Sequence, residues 1–587
     1  MFSKGHLFPI VVFALFAIVA CAPGAQPAAA PAPAAPAAPI AAPKQPGAPA
    51  PAAPAAAPRE PAGLIAAAQP TSTPVRQAAA QAKYGGTFRT TYTSSSPVGW
   101  EPLWSDSASI HTLYTIVGGH LVKWGEGPGR DPTAKVIEPD AAEKWEISGD
   151  GLTYTFHLRK GLMLHPPLNR EVVSQDVKFA IERYFCKNSG HRDKFDSIKS
   201  IELPDKYTVV LKLKEPDADL LENLGNHYVE IHFKDALEPS KDGCYEATGY
   251  KNIVGFGPFM KGEFNHGINW TLVRNPNYYI KGLPYLDAIE WIVMPDASTR
   301  LAAIRTGQID VNGLNCKQAQ TMAKTNPEIQ IKSALGMGNS LLGFNVHKPP
   351  FSDVRVRQAL SMAIDRKAWL DAFNCGEGVA AVIAVPPGQA EWFLPAEKAG
   401  PGAKNFEYNP EGAKKLLAEA GYAKGLNTSV ACGYVGQYDA IQLMMSYWDA
   451  AGAKTKLDVR EYTAFVNTVS FDQTQVKCYG FGRPDIYSWI FVNYHHTARK
   501  PADTTPFITK EMDPKLMEMV ERQKAITDFK KRQELIFDIQ RHLAEKVYYI
   551  MHPVGYSTSA LAPNIRDYNP HGGGWNAGHY MYVWKDR

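Results

Sequence analysis

Pro349-Pro350-Phe351-Ser352-Asp353-Val354-Arg355-Val356-Arg357-Gln358-Ala359-Leu360, running on to Ala363-Ile364-Asp365-Arg366, is the stretch on which the fold turns. Two consecutive prolines set an extended approach, because each disfavours the helical region for the residue before it. Asp353 then suits a helix N-cap, its carboxylate accepting from the free N–H groups of the first turn. Val356, Leu360, Ile364 and Leu370 recur on one side of the helix that follows.

Outward from this stretch the chain alternates between strand and helix patterns. Gly85-Gly86-Thr87-Phe88-Arg89-Thr90-Thr91-Tyr92 reads as a strand after a tight turn. Leu152 to Leu158 alternates with the strand period, and Thr208-Val209-Val210-Leu211-Lys212-Leu213 is a further strand. Ser174 is placed to cap a helix with Val177, Ala180, Ile181 and Tyr184 on its apolar face. Asn409-Pro410 opens a helix bearing Ala413, Leu416, Leu417 and Ala420, and Gly421 closes it. Asp513-Pro514 opens another helical stretch, and Leu535, Ile536, Ile539, Leu543 and Val547 continue a helical face. Mixed elements without repeats predict an α/β protein built from large lobes. The 587 residues, 45% of them hydrophobic, allow a large core that needs no disulfides to hold it.

The formal charge of +4 has one location. Residues 1–83 carry Lys4, Lys44, Arg59, Arg76 and Lys83 against Glu60, so residues 84–587 sum to zero. A neutral globule argues against a phosphate-backbone binder, and no nucleic-acid partner is expected. Lys4 and the apolar run Phe8 to Ala20 read as an export signal over residues 1–21. It ends Ile18-Val19-Ala20-Cys21, and small residues before a cysteine resemble the lipobox of bacterial lipoproteins, whose cysteine is lipidated. An ordinary signal peptide or a short N-terminal anchor are the alternatives. Residues 22–83 are an Ala/Pro-rich tether holding about a third of the 45 prolines. Proline density precludes a helix and alanine offers little to bury, so a semi-extended leash is expected, at about 3.1 Å per residue in the polyproline limit.

Six cysteines follow Cys21: Cys186, Cys244, Cys316, Cys375, Cys432 and Cys478. Fifteen pairings are open to six cysteines, and Cys186–Cys244 is the first choice because both fall in one expected subdomain. The sequence carries no Walker cradle, H-E-x-x-H or G-x-S-x-G. His495-His496 is the one adjacent histidine pair, and neighbours in sequence point apart on a regular element, which disfavours joint metal ligation.

Four blocks in order resemble the family 5 extracellular solute-binding proteins, the peptide and nickel class of ABC importers. The first is Ile137-Glu138-Pro139-Asp140-Ala141-Ala142-Glu143-Lys144-Trp145-Glu146-Ile147 with Asp150 to Gly161 and Ser174-Gln175-Asp176-Val177. The second is Val254-Gly255-Phe256-Gly257-Pro258-Phe259 with Arg274-Asn275-Pro276-Asn277-Tyr278-Tyr279, and the third is Arg300 to Asp310. The fourth is Phe344-Asn345 with the opening stretch, and together they cover nearly all of residues 84–587. Gly255 and Gly257 flank a turn where side chains would clash. The resemblance implies a two-lobe periplasmic-binding-protein-like fold, type II, cluster C. Lobe one would comprise residues 84–130, an extra subdomain at 131–250, then 251–344 and 550–587. Lobe two would be 345–549, entered near Phe344-Asn345 and left near Tyr549–Pro553.

Peptide-binding members carry a Gly-Trp-x-x-Asp pattern on a lobe-two strand, its aspartate pairing with the peptide's α-ammonium. The matching stretch is Gly480-Phe481-Gly482-Arg483-Pro484-Asp485. Phe481 keeps an aromatic, Pro484 takes the anchoring position and Asp485 follows one residue later. A one-residue shift in a strand turns a side chain to the other face, which a loop can offset. Arg483 would favour an anionic ligand if it faces inward. Trp100 and Trp104 after the first strand, Trp392 after Pro386-Pro387-Gly388, and Tyr487 and Trp489 beyond the aspartate are further candidates for an aromatic-walled cleft. The resemblance implies a monomeric, lipid-anchored, extracytoplasmic receptor, without cofactor or chemistry, that delivers a solute to an ABC permease and its ATPase. Peptide is the family default. A metal chelate, an oligosaccharide or another small anion, a surface hydrolase, and a sensory receptor are the rivals.

Overall fold

The computed structural model describes residues 82–93, 100–104, 108–131, 136–187, 189, 191–433, 435–461, 465, 474–481, 486, 489–490, 494, 508–569 and 578–586. All belong to one compact unit, Pro61–Arg587. The signal, the lipobox cysteine Cys21, most of the tether and His495-His496 lie outside the described residues.

The chain enters through β1 (Thr87–Tyr92) and α1 (Ala108–Val117). It then builds the inserted subdomain from β2 (Ala142–Ile147), β3 (Thr153–Leu158), α2 (Ser174–Arg183), β4 (Ile198–Asp205) and β5 (Thr208–Leu213). These strands form a four-stranded antiparallel sheet in the order β2-β3-β5-β4. In β3, Tyr154, Phe156 and Leu158 alternate inward as the sequence predicts, while β5 is buried on both faces over Thr208–Leu211. The helix α2 forms where expected, with a different cap. Val173 is the N-cap, Asp176 accepts from its backbone N–H at 2.9 Å, and the Ser174 hydroxyl donates instead to the Asp205 carbonyl. The Asp176 carboxylate thus holds the N-cap backbone from within the helix, and the first turn receives no side-chain cap.

The main sheet of lobe one adds β6 (Phe259–Asn265), β7 (Asn269–Arg274) and β8 (Ala288–Val293) to β1, in the order β1-β8-β7-β6. A Cβ at Gly255 would stand 2.1 Å from the Val117 carbonyl oxygen, and one at Gly257 2.3 Å from that of Ile116. The expected clash at this turn is therefore with the end of α1. Next come β9 (Val311–Leu314), α3 (Cys316–Thr325) and β10 (Gln330–Leu335).

Lobe two opens with β11 (Asn339–Phe344), α4 (Val354–Met362) and α5 (Arg366–Asn374). The stretch expected as one helix is two. Asp353 caps the first, accepting from Arg355 N at 2.9 Å, and Asp365 caps the second, accepting from Ala368 N at 2.8 Å. After α6 (Pro410–Leu417) come β12 (Leu426–Cys432), α7 (Tyr438–Ala450), β13 (Ala453–Val459), β14 (Val476–Phe481), α8 (Pro514–Gln523), α9 (Phe529–Lys546) and β15 (Tyr549–Met551). The sheet order is β13-β12-β14-β11-β15. Helix faces bearing Leu360, Met444, Trp448, Leu516, Ile536 and Ile539 cover it in one hydrophobic core. The chain then returns as β16 (Tyr556–Leu561) to the centre of a sheet ordered β9-β16-β10 in lobe one.

Among the described residues three disulfides are present. Cys186–Cys244 is the pair expected from the sequence and closes within the subdomain. Cys432–Cys478 joins β12 to β14, and Cys316–Cys375 joins the start of α3 in lobe one to the end of α5 in lobe two. Among the described residues no helix is long and apolar enough to cross a membrane.

Candidate functional site

Among the described residues two short segments connect the lobes: residues 336–338 between β10 and β11, and residues 552–555 between β15 and β16. They touch through the Gly336 N–H, which donates to the Gly555 carbonyl at 3.1 Å. Lobe two braces both. Val379 and Val554 exchange two backbone hydrogen bonds (2.8 and 2.9 Å), and Gly388 N donates to the Gly336 carbonyl at 3.1 Å. A Cβ at Gly388 would lie 2.6 Å from that oxygen, which explains a glycine after Pro386-Pro387. Two adjacent main-chain crossings form a hinge. The sequence reading ended lobe one at residue 344. Pairing of Leu341–Gly343 with both β14 and β15 puts the whole of β11 in lobe two and the crossing at residues 336–338.

The strand bearing the anchoring pattern ends beside this hinge. Phe481, the last residue of β14, pairs with Asn339, the first of β11. Gly482, Arg483, Asp485 and Tyr487 lie outside the described residues. Trp104 ends a short 3-10 turn, Pro102–Trp104. Trp100 packs edge-on against Tyr250 (6.0 Å between centroids) and Phe264 (5.3 Å) in lobe one. Trp489 is fully buried in the lobe-two core, its indole N–H donating to the Ala384 carbonyl. Trp392 is also buried in that core, its ring against Phe529 at 4.9 Å. These three tryptophans are thus held by packing within their own lobes.

Trp392 also meets charges that sequence reasoning missed. The Arg532 guanidinium lies 5.4 Å from the Trp392 ring centroid. From α9 in lobe two it reaches Asp219 of the inserted subdomain, with Nη2 2.7 Å from both carboxylate oxygens. Gln523 Oε1 accepts from Arg532 Nε at 2.9 Å and Nη2 at 2.7 Å. Lys524 Nζ stands 3.5 Å from Asp217 Oδ2, and the Ala218 N–H donates to the Lys524 carbonyl at 2.9 Å. Asp217 is held by the Ser197 hydroxyl at 2.5 Å. Arg532 and Asp219 are almost wholly buried, with side-chain exposures of 5% and 0%. Burial pushes the Asp219 carboxyl up to about 6, with Arg532 pulling the other way. Partners 313 residues apart leave no local signal in the sequence.

Lobe one also contains a cavity of about 40 Å³, lined by His120, Lys123, Glu126, Asp140, His227 and Tyr278 among others. That is room for about one water molecule. Burial raises Glu126 to about 8 and lowers His120. Among the described residues no group of three or more His, Cys, Asp or Glu side chains is arranged to hold a metal ion.

Comparison with known proteins places this architecture. Residues 136–491 match the family described as bacterial extracellular solute-binding proteins, family 5 Middle. Heme-binding protein A of Haemophilus influenzae is 28% identical over 540 residues, covering 86% of this chain and 95% of that protein. Di/tripeptide-binding protein 1 of Pseudomonas aeruginosa is 28% identical over 493 residues, covering 79% and 88%. The solved periplasmic binding protein DppA of Helicobacter pylori, in complex with the peptide STSA, superposes with a TM-score of 0.71 at 24% identity, covering 86% of this chain and 99% of that one.

Proposed function

The chain belongs to the bacterial extracellular solute-binding proteins, family 5, and we propose that it captures a peptide or peptide-sized solute between its lobes for an ABC permease. The observation that carries this is the double-crossing hinge with Phe481, the last residue of β14, paired to Asn339 beside it. A ligand bound by both lobes stabilises the closed arrangement over the open one, and this differential binding is the whole of the mechanism. The permease and its ATPase supply the energy of transport. The chain acts outside the cytoplasmic membrane as a monomer. Lipidation at Cys21 and the tether of residues 22–83 hold it there, and two or three acyl chains at about 0.8 kcal/mol per buried methylene make that attachment firm.

Phe481 and Asp485 are the proposed ligand contacts, Asp485 meeting an ammonium group, with Gly482, Arg483 and Tyr487 beside them. Trp100 and Trp104, which follow the first strand, are the proposed lobe-one contacts, while Trp392 and Trp489 support the lobe-two wall from within the core. Titration calorimetry with di- to pentapeptides tests the peptide reading: saturable heat at one site per chain is expected, and none at high peptide concentration overturns it. Asp485→Ala should weaken an ammonium-bearing ligand by roughly 2–5 kcal/mol.

A second reading is a non-peptide anionic ligand. Pro484 at the usual aspartate position and Arg483 before it favour it, and a relative of this length is named for heme. Under this reading Arg483→Ala weakens binding and Asp485→Ala does not.

A further inference from the structure

We infer that Asp219 and Arg532, supported by Asp217 and Lys524, form a latch between the inserted subdomain and lobe two. Made in the closed arrangement, it lets the lobes close without an unpaired buried charge, and it does so without touching the ligand. The inference concerns the hinge and holds whatever solute is bound.

The four charges come from both sides of the division that the hinge allows to part. Asp217 and Asp219 belong to the subdomain core around Leu220 and Leu224. Lys524 and Arg532 follow and begin α8 and α9, whose apolar faces are in the lobe-two core. Neither crossing segment, 336–338 or 552–555, includes any of them. The interaction is built on both sides. Ser197 and the Asp219 N–H (3.0 Å) orient Asp217. Gln523 and the Trp392 ring hold the Arg532 guanidinium in place.

The Ala218–Lys524 backbone hydrogen bond runs beside the side-chain pairs and has to break with them. When the lobes part, the paired charges return to water, so the latch itself adds little net energy. Removing one partner is different. It leaves a buried, unpaired charge in the closed form and a hydrated one in the open form, so single substitutions favour opening strongly. Removing both charges and filling their volume with apolar side chains restores closure. A contact that merely maintains the fold would give this pattern in unfolding midpoints and leave the lobe-to-lobe distance unchanged.

The test is a lobe-to-lobe distance measured on the full ligand-free chain. Labels are attached through unnatural amino acids at exposed Glu202 and Lys415, leaving the native cysteines intact. Asp219→Ala and Arg532→Ala should each lower the closed-to-open ratio at least tenfold. The double variant Asp219→Leu/Arg532→Met should return to within about threefold of the parent. Arg532→Lys keeps the charge but not the fork, and should shift the ratio less, in the same direction. If an alanine variant fails to fold, Arg532→Lys and Lys524→Ala give the same reading. Folded single variants with the parent's distance distribution would overturn the latch. Since no ligand is added, failure here leaves the capture reading untouched, and failure of that reading leaves the latch untouched.

Discussion

His165 shows how a single residue couples this fold to pH. Its backbone N–H donates to the Gly255 carbonyl at 2.8 Å and its Nε2 to the Gly257 carbonyl at 3.0 Å, fastening the subdomain to the glycine turn. Burial lowers its pKa to about 4, and the same cause lowers His552 to about 4. Below pH 6.5 the unfolded chain takes up protons that these folded histidines do not. Their contribution is therefore complete above pH 6.5 and lost as pH falls towards 4. Between pH 7 and 4.5, urea midpoints should fall, and His165→Gln should remove roughly 2–3 kcal/mol of that fall. An unchanged pH slope in the variant would contradict the assignment. Trp448 is the corresponding anchor in lobe two. Its indole N–H donates to the Leu360 carbonyl at 2.9 Å with the ring wholly buried. Trp448→Phe strands that carbonyl and should cost about 1–3 kcal/mol in denaturant unfolding, with the fold retained.

At the scale of elements, the parts legible in the sequence were those whose physics is local. The Thr153–Leu158 alternation and the Asn409-Pro410 opening each emerged within a residue or two. Asp353 capped as read, but Asp365 offered a second cap within the same apolar pattern and divided one expected helix into two. The lobe boundary moved because β11 is defined by partners far along the chain, β14 and β15. Buried Trp392 and Trp489 carry the composition of a binding wall, and only packing reveals that they face the core. The disulfide between α3 and α5 was open in the sequence for the same reason, since its ends lie in different lobes. Peptide mapping without reduction should recover Cys186–Cys244, Cys316–Cys375 and Cys432–Cys478. With a sequence separation of 59, replacing both Cys316 and Cys375 by Ser should cost roughly 4 kcal/mol in the chain-entropy account. A thermal midpoint equal to the parent's would show that the strap adds nothing.

For the whole molecule, function depends on how two lobes held by two crossings, one disulfide and one charged latch move about a shared ligand. The +4 charge lies wholly in residues 1–83, so the globule that meets the solute is neutral. In the proposed function selectivity rests on a few groups, and Phe481, which ends β14 beside the hinge, opens the proposed contacts. The central claim is that one small solute is held per chain, and native mass spectrometry addresses it most directly. The purified full chain, offered a pool of di- to pentapeptides, heme and metal–amino acid chelates, should acquire one adduct per molecule that is lost on denaturation. A bare protein mass across the entire pool would contradict the account.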